Sequence, residues 1–453
     1  MRLITPTLIF VIYISSTLSL TRYHVAVPDT EVCPCESTDL CRINYFSRQK
    51  EVTVVTVGKT DFKKWSWDGI NNVINTAKTD DSKLMCYAHS KKANYGILVK
   101  LPSNDTITKT ELDTWMKNVI QRANKIYADF IVVDLLDLVG NCHMSVEHGQ
   151  RVINLTNGFA TKVKLQQNRQ LACVLPWKPP CFQGECTVMS DLNTICDVIM
   201  TSPESYFTEC DEYCRAKATM PTSNLIIGTD EYLYKEDIMA TKFFIGIPWH
   251  GYDYKCSDYE GYKGDHVTSL CKIKTKPNTS HCDFESSRTK MTFHELETQY
   301  PDKYEKHHIW SRLYNSYYFD VNKTDGYHQI WYESDASLYE KYKFALDMKL
   351  RGVVIWTMDD LLNYDQGDAR EWNWLMHTMM LTGNYDKGDL HAALRAMAIG
   401  VGCFIGGTIV GAIITTLIAR RQMRRLNRPR KRPFLKDEED DETANFHEDD
   451  KYL

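Results

Sequence analysis

The sequence Ala128-Asp-Phe-Ile-Val-Val-Asp-Leu-Leu-Asp-Leu138 is an apolar run of strand length, and three aspartates interrupt it. This run is the strongest indication of the fold in the chain. Continuous apolar runs are typical of strands buried on both faces of a parallel sheet. Eight short runs rich in β-branched residues occur along the chain, at 51–57, 69–74, 95–101, 130–136, 171–175, 197–201, 243–248 and 352–356. Segments of helix length, such as 110–126 and 146–163, separate most of them. This alternation predicts an α/β fold, a TIM (β/α)8 barrel with its site at the carboxyl ends of the strands.

The stretch 252–332 breaks this alternation, since it is rich in Lys, Tyr and Thr and contains Cys256, Cys271 and Cys282. We interpret it as an insertion subdomain after the seventh strand. Such an insertion either forms one wall of a substrate cleft or is a flap that only stabilises the barrel.

Composition excludes several classes of protein. The chain has 453 residues, 43% of them hydrophobic and 25% charged, which is typical of a globular protein rather than a fibrous or disordered one. The chain contains 54 Lys and Arg residues and 59 Asp and Glu residues, so it has no overall positive charge with which to bind nucleic acid. Fourteen of the 15 cysteines lie between Cys33 and Cys282, which favours a disulfide framework in an oxidising compartment. Cys33, Cys35 and Cys41 lack partners at zinc spacing, and we expect no metal and no cofactor.

Both ends of the chain predict a single-pass type I membrane protein. Residues 1–20 have the composition of a cleaved signal peptide, which leaves a lumenal or extracellular part at 21–389. Residues 396–419 contain no charged side chain and, as a helix, are long enough to cross a bilayer. The tail 420–453 is basic and then acidic, which predicts a disordered cytosolic segment. We expect the chain at the cell surface or in a lysosomal or endosomal membrane.

Further motifs concern partners and modification. The basic block of the tail is expected to lie on anionic lipid. The small-xxx-small spacing of paired membrane helices occurs twice, at Gly402 with Gly406 and at Gly407 with Gly411. This spacing allows a homodimer through the membrane helix. A glycine-rich span without a partner fits the sequence equally well. Sequons for N-glycosylation stand at Asn104, Asn154, Asn278 and Asn322.

The carboxylates of the fourth strand are the first candidates for chemistry. Side chains alternate in a strand, so Asp134 points the same way as Val132 and Leu136, whereas Asp137 points the other way. A buried Asp134 must be hydrogen-bonded or protonated. The alternative to a functional role is a core aspartate that is tied to the backbone.

Six segments carry a resemblance to a known family: Cys33-Pro-Cys-Glu36, Leu40-Cys-Arg42, Leu84-Met-Cys-Tyr-Ala-His-Ser90, Gly246-Ile-Pro-Trp-His-Gly-Tyr-Asp-Tyr254, His328-Gln-Ile-Trp-Tyr332 and Leu350-Arg-Gly-Val-Val-Ile-Trp356. Together they resemble the family 18 glycoside hydrolases, and among them the chitobiase-type members. The resemblance covers nearly the whole lumenal part. It implies a partner that is a GlcNAc-containing oligosaccharide or glycoprotein, and it puts Trp356 where the family keeps the tryptophan that floors the sugar site.

The family's chemistry, as the resemblance implies it, uses the sugar's own acetamido group as nucleophile and a glutamate at the end of strand four as the acid. Laid on this chain without a gap, the motif Asp-x-x-Asp/Asn-x-Asp-x-Glu falls on Asp129, Val132, Asp134 and Leu136. Leucine cannot donate a proton, and general acid catalysis is typically worth about 10²- to 10⁴-fold in rate. The degenerate motif therefore predicts that the catalytic acid has been replaced.

A second departure concerns the groups that hold the acetamido group in the family. Ser202 and Pro203 stand where the family has tyrosine and aspartate. Asp137 is the candidate for a relocated acid, although it has the other strand parity and a shorter side chain than glutamate, and Glu147 and Glu333 are further candidates.

Aromatic side chains remain at the expected site, and sugars stack on such faces. The predicted ligand-binding residues are Trp177, Trp249, Trp331, Tyr332 and Trp356. The alternative for each is packing at the top of the barrel. Tyr87 and His89 are expected to be structural.

Three functional hypotheses follow. The first is a membrane-anchored chitinase-like glycoprotein that is catalytically inactive and binds GlcNAc-oligosaccharides or acts as a receptor-type module. The second is an active di-N-acetylchitobiase-type glycosidase that degrades the chitobiose cores of oligosaccharides with a relocated acid. The third is an adhesion or interaction protein on a retained barrel scaffold. Loss of sugar binding on replacement of Trp356 would separate the first hypothesis from the third.

Overall fold

Strands make up the centre of the molecule, a computed structural model that describes residues 32–361 apart from 45–49, 60, 78, 103–106, 140–144, 168, 183–184, 187–188, 208–212, 262–268 and 307. The strands are β1 (Glu51–Thr56), β2 (Ile70–Asn75), β3 (Asn94–Lys100), β4 (Phe130–Asp134), β5 (Gln170–Leu175), β6 (Cys181–Phe182), β7 (Glu185–Cys186), β8 (Val198–Thr201), β9 (Phe243–Pro248), β10 (Gly251–Lys255), β11 (Asp258–Glu260), β12 (Leu270–Lys272), β13 (Arg288–Met291), β14 (Ile309–Ser311), β15 (Ser316–Lys323), β16 (Gly326–Tyr332) and β17 (Gly352–Trp356).

Eight of these strands close into a parallel barrel in the order β1-β17-β9-β8-β5-β4-β3-β2. Each of the eight apolar runs in the sequence coincides with one barrel strand, so the predicted TIM barrel is confirmed. Closure is direct: β1 pairs in parallel with both β17 and β2. The carboxyl ends of all eight strands therefore meet at one face of the barrel.

The barrel strands place alternate residues inside and outside. The inner side chains form one buried apolar cluster, made of Val55, Ile74, Phe130, Val132, Ala172, Val174, Val198, Met200, Phe244, Val354 and Trp356, with Leu98 and Leu136 packed against it. The outer side chains, such as Ile131 and Val133 of β4, pack beneath the surrounding helices. This two-residue period confirms the predicted parity of the fourth strand.

Helices follow most barrel strands, as α1 (Ser82–Ser90), α2 (Lys109–Lys125), α3 (Leu136–Val139), α4 (Val146–Gln167), α5 (Leu192–Ile195), α6 (Thr222–Asp230), α7 (Phe284–Ser287), α8 (Phe293–Gln299), α9 (Pro301–Lys306) and α10 (Asp335–Asp347). The start of α2 has a chemical cause. Thr108 Oγ1 accepts a hydrogen bond from the Glu111 amide, and the Glu111 carboxylate accepts one from the Thr108 amide. This capping box satisfies two amides that have no helical partners.

Between β9 and β17 the chain forms an antiparallel sheet in the order β13-β10-β16-β15-β14. Its own core contains Tyr254, Tyr318 and Trp331, and the Tyr318 and Trp331 rings stack with centroids 4.6 Å apart. The subdomain therefore buries aromatic surface of its own rather than lying on the barrel as an unpacked loop.

Disulfides connect distant parts of this framework. The bonds join Cys33 to Cys41, Cys35 to Cys86, Cys173 to Cys196, Cys214 to Cys282 and Cys256 to Cys271. Cys214–Cys282 ties the segment after β8 to the inserted sheet across 68 residues of sequence. The expected disulfide framework is confirmed for these cysteines.

Several predictions concern residues outside this description. The signal peptide 1–20, the span 396–419, the tail 420–453 and Asn104 all lie there. Among the residues that the structure does describe, no helix has the length and apolar character to cross a membrane. Asn154, Asn278 and Asn322 are exposed, as a glycosylation acceptor must be.

His89 lies at the amino-terminal end of the barrel and connects α1 to the start of β4. Its Nε2 atom lies 2.7 Å from Asp129 Oδ2, and its Nδ1 atom contacts the Leu40 carbonyl oxygen. Burial alone would lower the pKa of His89, but the charge and hydrogen bond of Asp129, with the Leu40 carbonyl, raise it above its usual value. The expectation that His89 is structural agrees with this position.

The raised pKa of His89 predicts a pH-dependent contribution to stability. A group whose pKa is higher in the folded than in the unfolded protein contributes its full stabilisation at pH values below the unfolded-state pKa. This contribution is lost as the pH rises through the folded-state pKa. We expect H89Q to lower the melting temperature more at about pH 5.5 than at about pH 8.5. Thermal unfolding of both proteins at the two pH values measures this; an equal decrease at both would contradict it.

Candidate ligand site at the barrel mouth

The end of β4 forms one side of the face where the strand carboxyl ends meet. We call this face the barrel mouth and define it by Asp134, Leu136, Ser202 and Trp356, which share the parity of the inner residues of their strands. The strand is two residues shorter than predicted, because Asp134 Oδ1 accepts a hydrogen bond from the Leu136 amide at 2.9 Å and Leu136 begins α3. Leu136 packs against the inner apolar cluster.

Asp134 is buried in the mouth, with only 9% of its surface exposed. Burial raises the pKa of its carboxyl, although the Leu136 amide and the Lys100 charge act in the opposite direction. Lys100 Nζ lies 3.9 Å from Asp134 Oδ2 and also pairs with Asp137. Asp134 is thus placed to accept or donate a hydrogen bond at the mouth.

Asp129, the first residue of the degenerate motif, is not at the mouth. It precedes β4 at the opposite end of the barrel, where it is 1% exposed. Its carboxylate accepts hydrogen bonds from the backbone amides of Asn44 and Tyr95, each at 2.6 Å, and also contacts His89. Its role is to join the first strands of the barrel, so it belongs to the fold and not to a ligand site.

The end of β8 carries Ser202 and Pro203. Ser202 is fully buried, and its Oγ atom has no hydrogen-bond partner among the described residues. Pro203 begins a 3₁₀ turn, Pro203–Tyr206, that leads the chain away from the strand. A buried hydroxyl without a partner is costly, and a ligand group that bonded to Ser202 would remove that cost.

Trp356 ends β17 and keeps its place at the mouth. It packs with the inner cluster, is 9% exposed, and has a buried indole Nε1 without a hydrogen-bond partner in the described part of the chain. Trp177 follows β5 and is half-buried; its ring meets Tyr206 edge to face at 5.6 Å, and Lys178 Nζ lies 5.1 Å from its centroid. These two tryptophans still have surface that a sugar can contact.

The other three predicted aromatic residues are buried in this structure. Trp249 is 0% exposed and donates from Nε1 to Tyr342 Oη at 2.9 Å. Trp331 is 1% exposed inside the inserted sheet and donates to Gln329 at 2.7 Å, while Tyr332 is 2% exposed. The structure places Trp249 against α10 and Trp331 in the core of the inserted sheet, so none of these three side chains presents open surface at the mouth.

The candidates for a relocated acid are occupied or distant from the mouth. Asp137 is exposed and paired with Lys100. Glu333 is fully buried and lies 2.6 Å from Nζ of the equally buried Lys341. Glu147 is exposed in the first turn of α4. Asp137 and Glu333 are therefore engaged in ion pairs with Lys100 and Lys341 and are not directed at a ligand in the mouth.

A charged cluster at the mouth was missed by the sequence analysis. We call Glu204, His250, Lys290 and Asp360 the mouth cluster. His250 Nε2 lies 3.4 Å from Glu204 Oε1, and its Nδ1 lies 3.3 Å from Asp360 Oδ2. Lys290 Nζ lies 3.0 Å from Asp360 and 4.0 Å from Glu204. Glu204, His250 and Asp360 each follow a barrel strand within a few residues, and that position was the available signal.

Both carboxylates of the mouth cluster are ionised. Burial acts to raise the pKa of Glu204, but His250, Lys290 and the hydroxyl of Tyr252, which donates at 2.9 Å, lower it. Burial likewise opposes ionisation of Asp360, yet His250, Lys290 and the Thr357 amide lower its pKa to about 2. The cluster binds the barrel to β10 and β13 of the inserted sheet through these charges.

The one metal-like grouping in the described residues is not free to hold an ion. The sulfur atoms of Cys33, Cys35 and Cys41 lie within 4.8 Å of one another, but each is committed to a disulfide. Thiolates, not disulfide sulfurs, are the ligands of zinc.

Comparison with known proteins agrees with this architecture. The family model "Glycosyl hydrolases family 18" matches residues 108–360. The di-N-acetylchitobiase of Homo sapiens is 27% identical over 341 residues, covering 74% of this chain and 84% of that protein.

Solved chitinases share the fold. One from Rhizomucor miehei has a TM-score of 0.57 at 13% identity and covers 74% of this chain and 100% of its own. One from Cycas revoluta in complex with (GlcNAc)4 has a TM-score of 0.55 at 10% identity, with 72% and 99% covered. With more than half of its length matched by the family model and a closed parallel barrel of eight strands, this chain belongs to the family 18 glycosyl hydrolases.

Proposed function

We propose that this protein is a membrane-anchored sugar-binding module that holds GlcNAc-containing oligosaccharides at the barrel mouth without hydrolysing them. The observation that carries the proposal is the end of β4, where Leu136 follows the buried Asp134 and packs on the inner apolar cluster. The resemblance to the family implies that its catalytic acid would stand at the position of Leu136. Leu136 offers only apolar surface to a glycosidic oxygen.

The charges at the mouth favour binding over hydrolysis. A general acid must carry a proton near the working pH, and it must reach the leaving oxygen. Glu204 has a lowered pKa, and Asp137 is held by Lys100. Asp134 has a raised pKa, but its Oδ1 atom is turned toward the Leu136 amide.

The unpartnered polar atoms at the mouth support a sugar as the ligand. Trp356 Nε1 is a buried donor and Ser202 Oγ is a buried donor and acceptor, and neither has a partner among the residues described. A sugar combines an apolar ring face with hydroxyl or acetamido groups, which matches an indole face with polar atoms around it. The Cycas revoluta chitinase, which shares the fold, has been solved with (GlcNAc)4.

Anchoring is proposed from the sequence. The uncharged stretch 396–419, followed by a basic block, supports one membrane span with the barrel on the lumenal or extracellular side. The exposure of Asn154, Asn278 and Asn322 supports glycosylation on that side. A cell-surface, lysosomal or endosomal membrane is consistent with both features.

Two alternatives rest on the same chain. An active di-N-acetylchitobiase-type glycosidase would need a relocated acid, and the homology to di-N-acetylchitobiases favours it. An adhesion or interaction protein would need only the scaffold, and the burial of Trp249, Trp331 and Tyr332 favours it.

The missing acid predicts a lack of hydrolysis that a single change would reverse. We expect the full-length protein in detergent not to cleave fluorogenic chito-oligosaccharides, and L136E to gain measurable turnover because Asp134 remains beside the new acid. Activity is measured at about pH 5 and about pH 7. L136Q is the matched control, since it has the same length as L136E without the proton. Turnover by the unmodified protein would support the alternative enzyme and contradict the proposal.

The position of Trp356 predicts that it dominates binding. Loss of a buried aromatic contact in a site typically costs more than about 2 kcal/mol, so W356A should weaken binding of a GlcNAc tetramer at least about 30-fold. Titration calorimetry on the full-length protein measures the affinity. The control is W115A, because Trp115 lies on α2 outside the barrel and contacts Phe159. Equal affinities of both variants would contradict the role of Trp356, and an absence of binding by the unmodified protein would favour the adhesion alternative.

The span predicts how the protein fractionates. The full-length chain should stay with membranes after alkaline carbonate extraction, whereas a chain that stops after residue 389 should be secreted as a glycosylated product. Cell fractionation with a glycosidase digest measures both. Full extraction of the full-length chain by carbonate would contradict the anchor.

A further inference from the structure

A row of aromatic rings runs along one side of the barrel mouth, from the end of β5 to the inserted sheet. Ring centroids lie 5.6 Å apart between Trp177 and Tyr206 and 5.4 Å apart between Tyr206 and Phe207. Tyr252 of β10 continues the row at 5.2 Å from Phe207. We call these four residues the aromatic wall. Tyr206 and Tyr252 are buried, whereas Trp177, at the outer end, is half-buried and keeps ring surface for a ligand.

Trp177 is held in place by the turn after β8 and by α6. Its amide donates to Ser205 Oγ at 2.7 Å, and that hydroxyl donates to the Ser202 carbonyl oxygen at 2.6 Å. Gly228 of α6 lies so close that a Cβ atom there would come within 2.1 Å of the Trp177 carbonyl oxygen and 3.0 Å of its ring. An indole fixed in this way is preorganised for stacking, because little freedom remains to be lost on binding.

Lys178 lies over this outer end of the wall and has no negative partner. Its Nζ atom is 5.1 Å from the centroid of Trp177. Lys178 is exposed and makes no ion pair or side-chain hydrogen bond within the described chain. Two other lysines at the mouth differ, since Lys100 and Lys290 each pair with an aspartate. The charge of Lys178 is therefore open to a ligand.

The inner part of the wall carries two further cations. The guanidinium carbon of Arg288 lies 3.7 Å from the centroid of Phe207 and 4.1 Å from that of Tyr252. Its Nη1 atom is buried without a hydrogen-bond partner, and no ion pair joins Arg288 to another described residue. Lys217 Nζ lies 4.0 Å from the centroid of Tyr206. Because ring faces attract cations, the wall combines apolar surface with positive charge.

Glu204 brings negative charge to the inner end of the wall. Its carboxylate accepts from the Tyr252 hydroxyl at 2.9 Å, and Oε1 lies 3.4 Å from His250 Nε2 and 4.0 Å from Lys290 Nζ. These contacts direct the carboxylate into the mouth cluster. The outer end, at Trp177, is thus left with a cation and an indole face.

We infer that Trp177 and Lys178 form a subsite for a sugar unit that carries a negative group, so that the ligand of the mouth is an acidic GlcNAc-containing oligosaccharide. The inference rests on the proposed sugar-binding function and names the chemical class of its ligand. The apolar face of the sugar stacks on the indole, and its carboxylate or sulfate meets the ammonium. The flexible stem of Lys178 lets the ammonium move from the ring face to the edge of the bound sugar.

Binding of matched sugars tests this subsite. Titration calorimetry on the full-length protein in detergent compares a GlcNAc tetramer, its 6-O-sulfated form and a tetramer whose terminal unit is oxidised to a uronic acid. We expect an acidic form to bind about fivefold more tightly than the neutral one in about 50 mM salt, the effect of one exposed ion pair. The preference should largely disappear in about 0.5 M salt. A preference for one acidic form alone identifies the group as sulfate or carboxylate.

Lys59 provides a matched control. It follows β1, is exposed, and has neither an ion pair nor a ring contact in the described part of the chain. K178Q, which keeps the length of the side chain without its charge, should bind the neutral and acidic tetramers with similar affinity. K59Q should keep the full preference. The inference is overturned if K178Q retains the preference, or if K59Q loses it as well, since net charge alone would then explain it.

The same titrations separate this inference from the proposed function. Binding of all three tetramers with equal affinity by the unmodified protein overturns the subsite and leaves the proposed function standing. An absence of binding of all three overturns both. Binding of an acidic tetramer with the expected dependence on salt and on Lys178 supports both.

Discussion

A barrel of eight parallel strands can close only if its interior is filled, and here apolar side chains at every second residue fill it. Phe130, Val132 and Met200 belong to this inner layer. Because side chains alternate with a period of two, the packing of the interior fixes which side chains each strand presents at its carboxyl end. The presence of Asp134, Leu136, Ser202 and Trp356 at one mouth follows from the packing of the layers beneath them.

The inserted sheet is fastened to this mouth by two kinds of contact. Cys214–Cys282 is covalent and ties the sheet to the segment after β8. The mouth cluster is electrostatic and ties β10 and β13 to the ends of β8 and β17. Burying charges is costly unless they are paired. The charged groups of the cluster lose part of their hydration, and their mutual contacts hold them in a fixed arrangement.

Histidines between acceptors recur in the molecule. His89 lies between Asp129 and a carbonyl, His250 between two carboxylates and a carbonyl, and His328 between two carboxylates. For His89, the charge and hydrogen bond of Asp129 raise the pKa of the imidazole in spite of its burial. The contribution of His89 to stability is therefore fully present at mildly acidic pH and is lost as the pH rises through its raised pKa.

The sequence by itself determined the barrel, the parity of the fourth strand and the presence of leucine, not a carboxylate, at position 136. These depend on local order along the chain, because hydrophobic period and residue identity are properties of a segment and do not change when it packs. Only the tertiary structure decided that Trp249, Trp331 and Tyr332 are buried and that Asp129 lies at the opposite end from the mouth. It alone revealed the mouth cluster, whose members come from positions 204, 250, 290 and 360. Contacts between residues so far apart depend on the direction of each side chain after the barrel has closed, and no periodicity in the sequence encodes that direction.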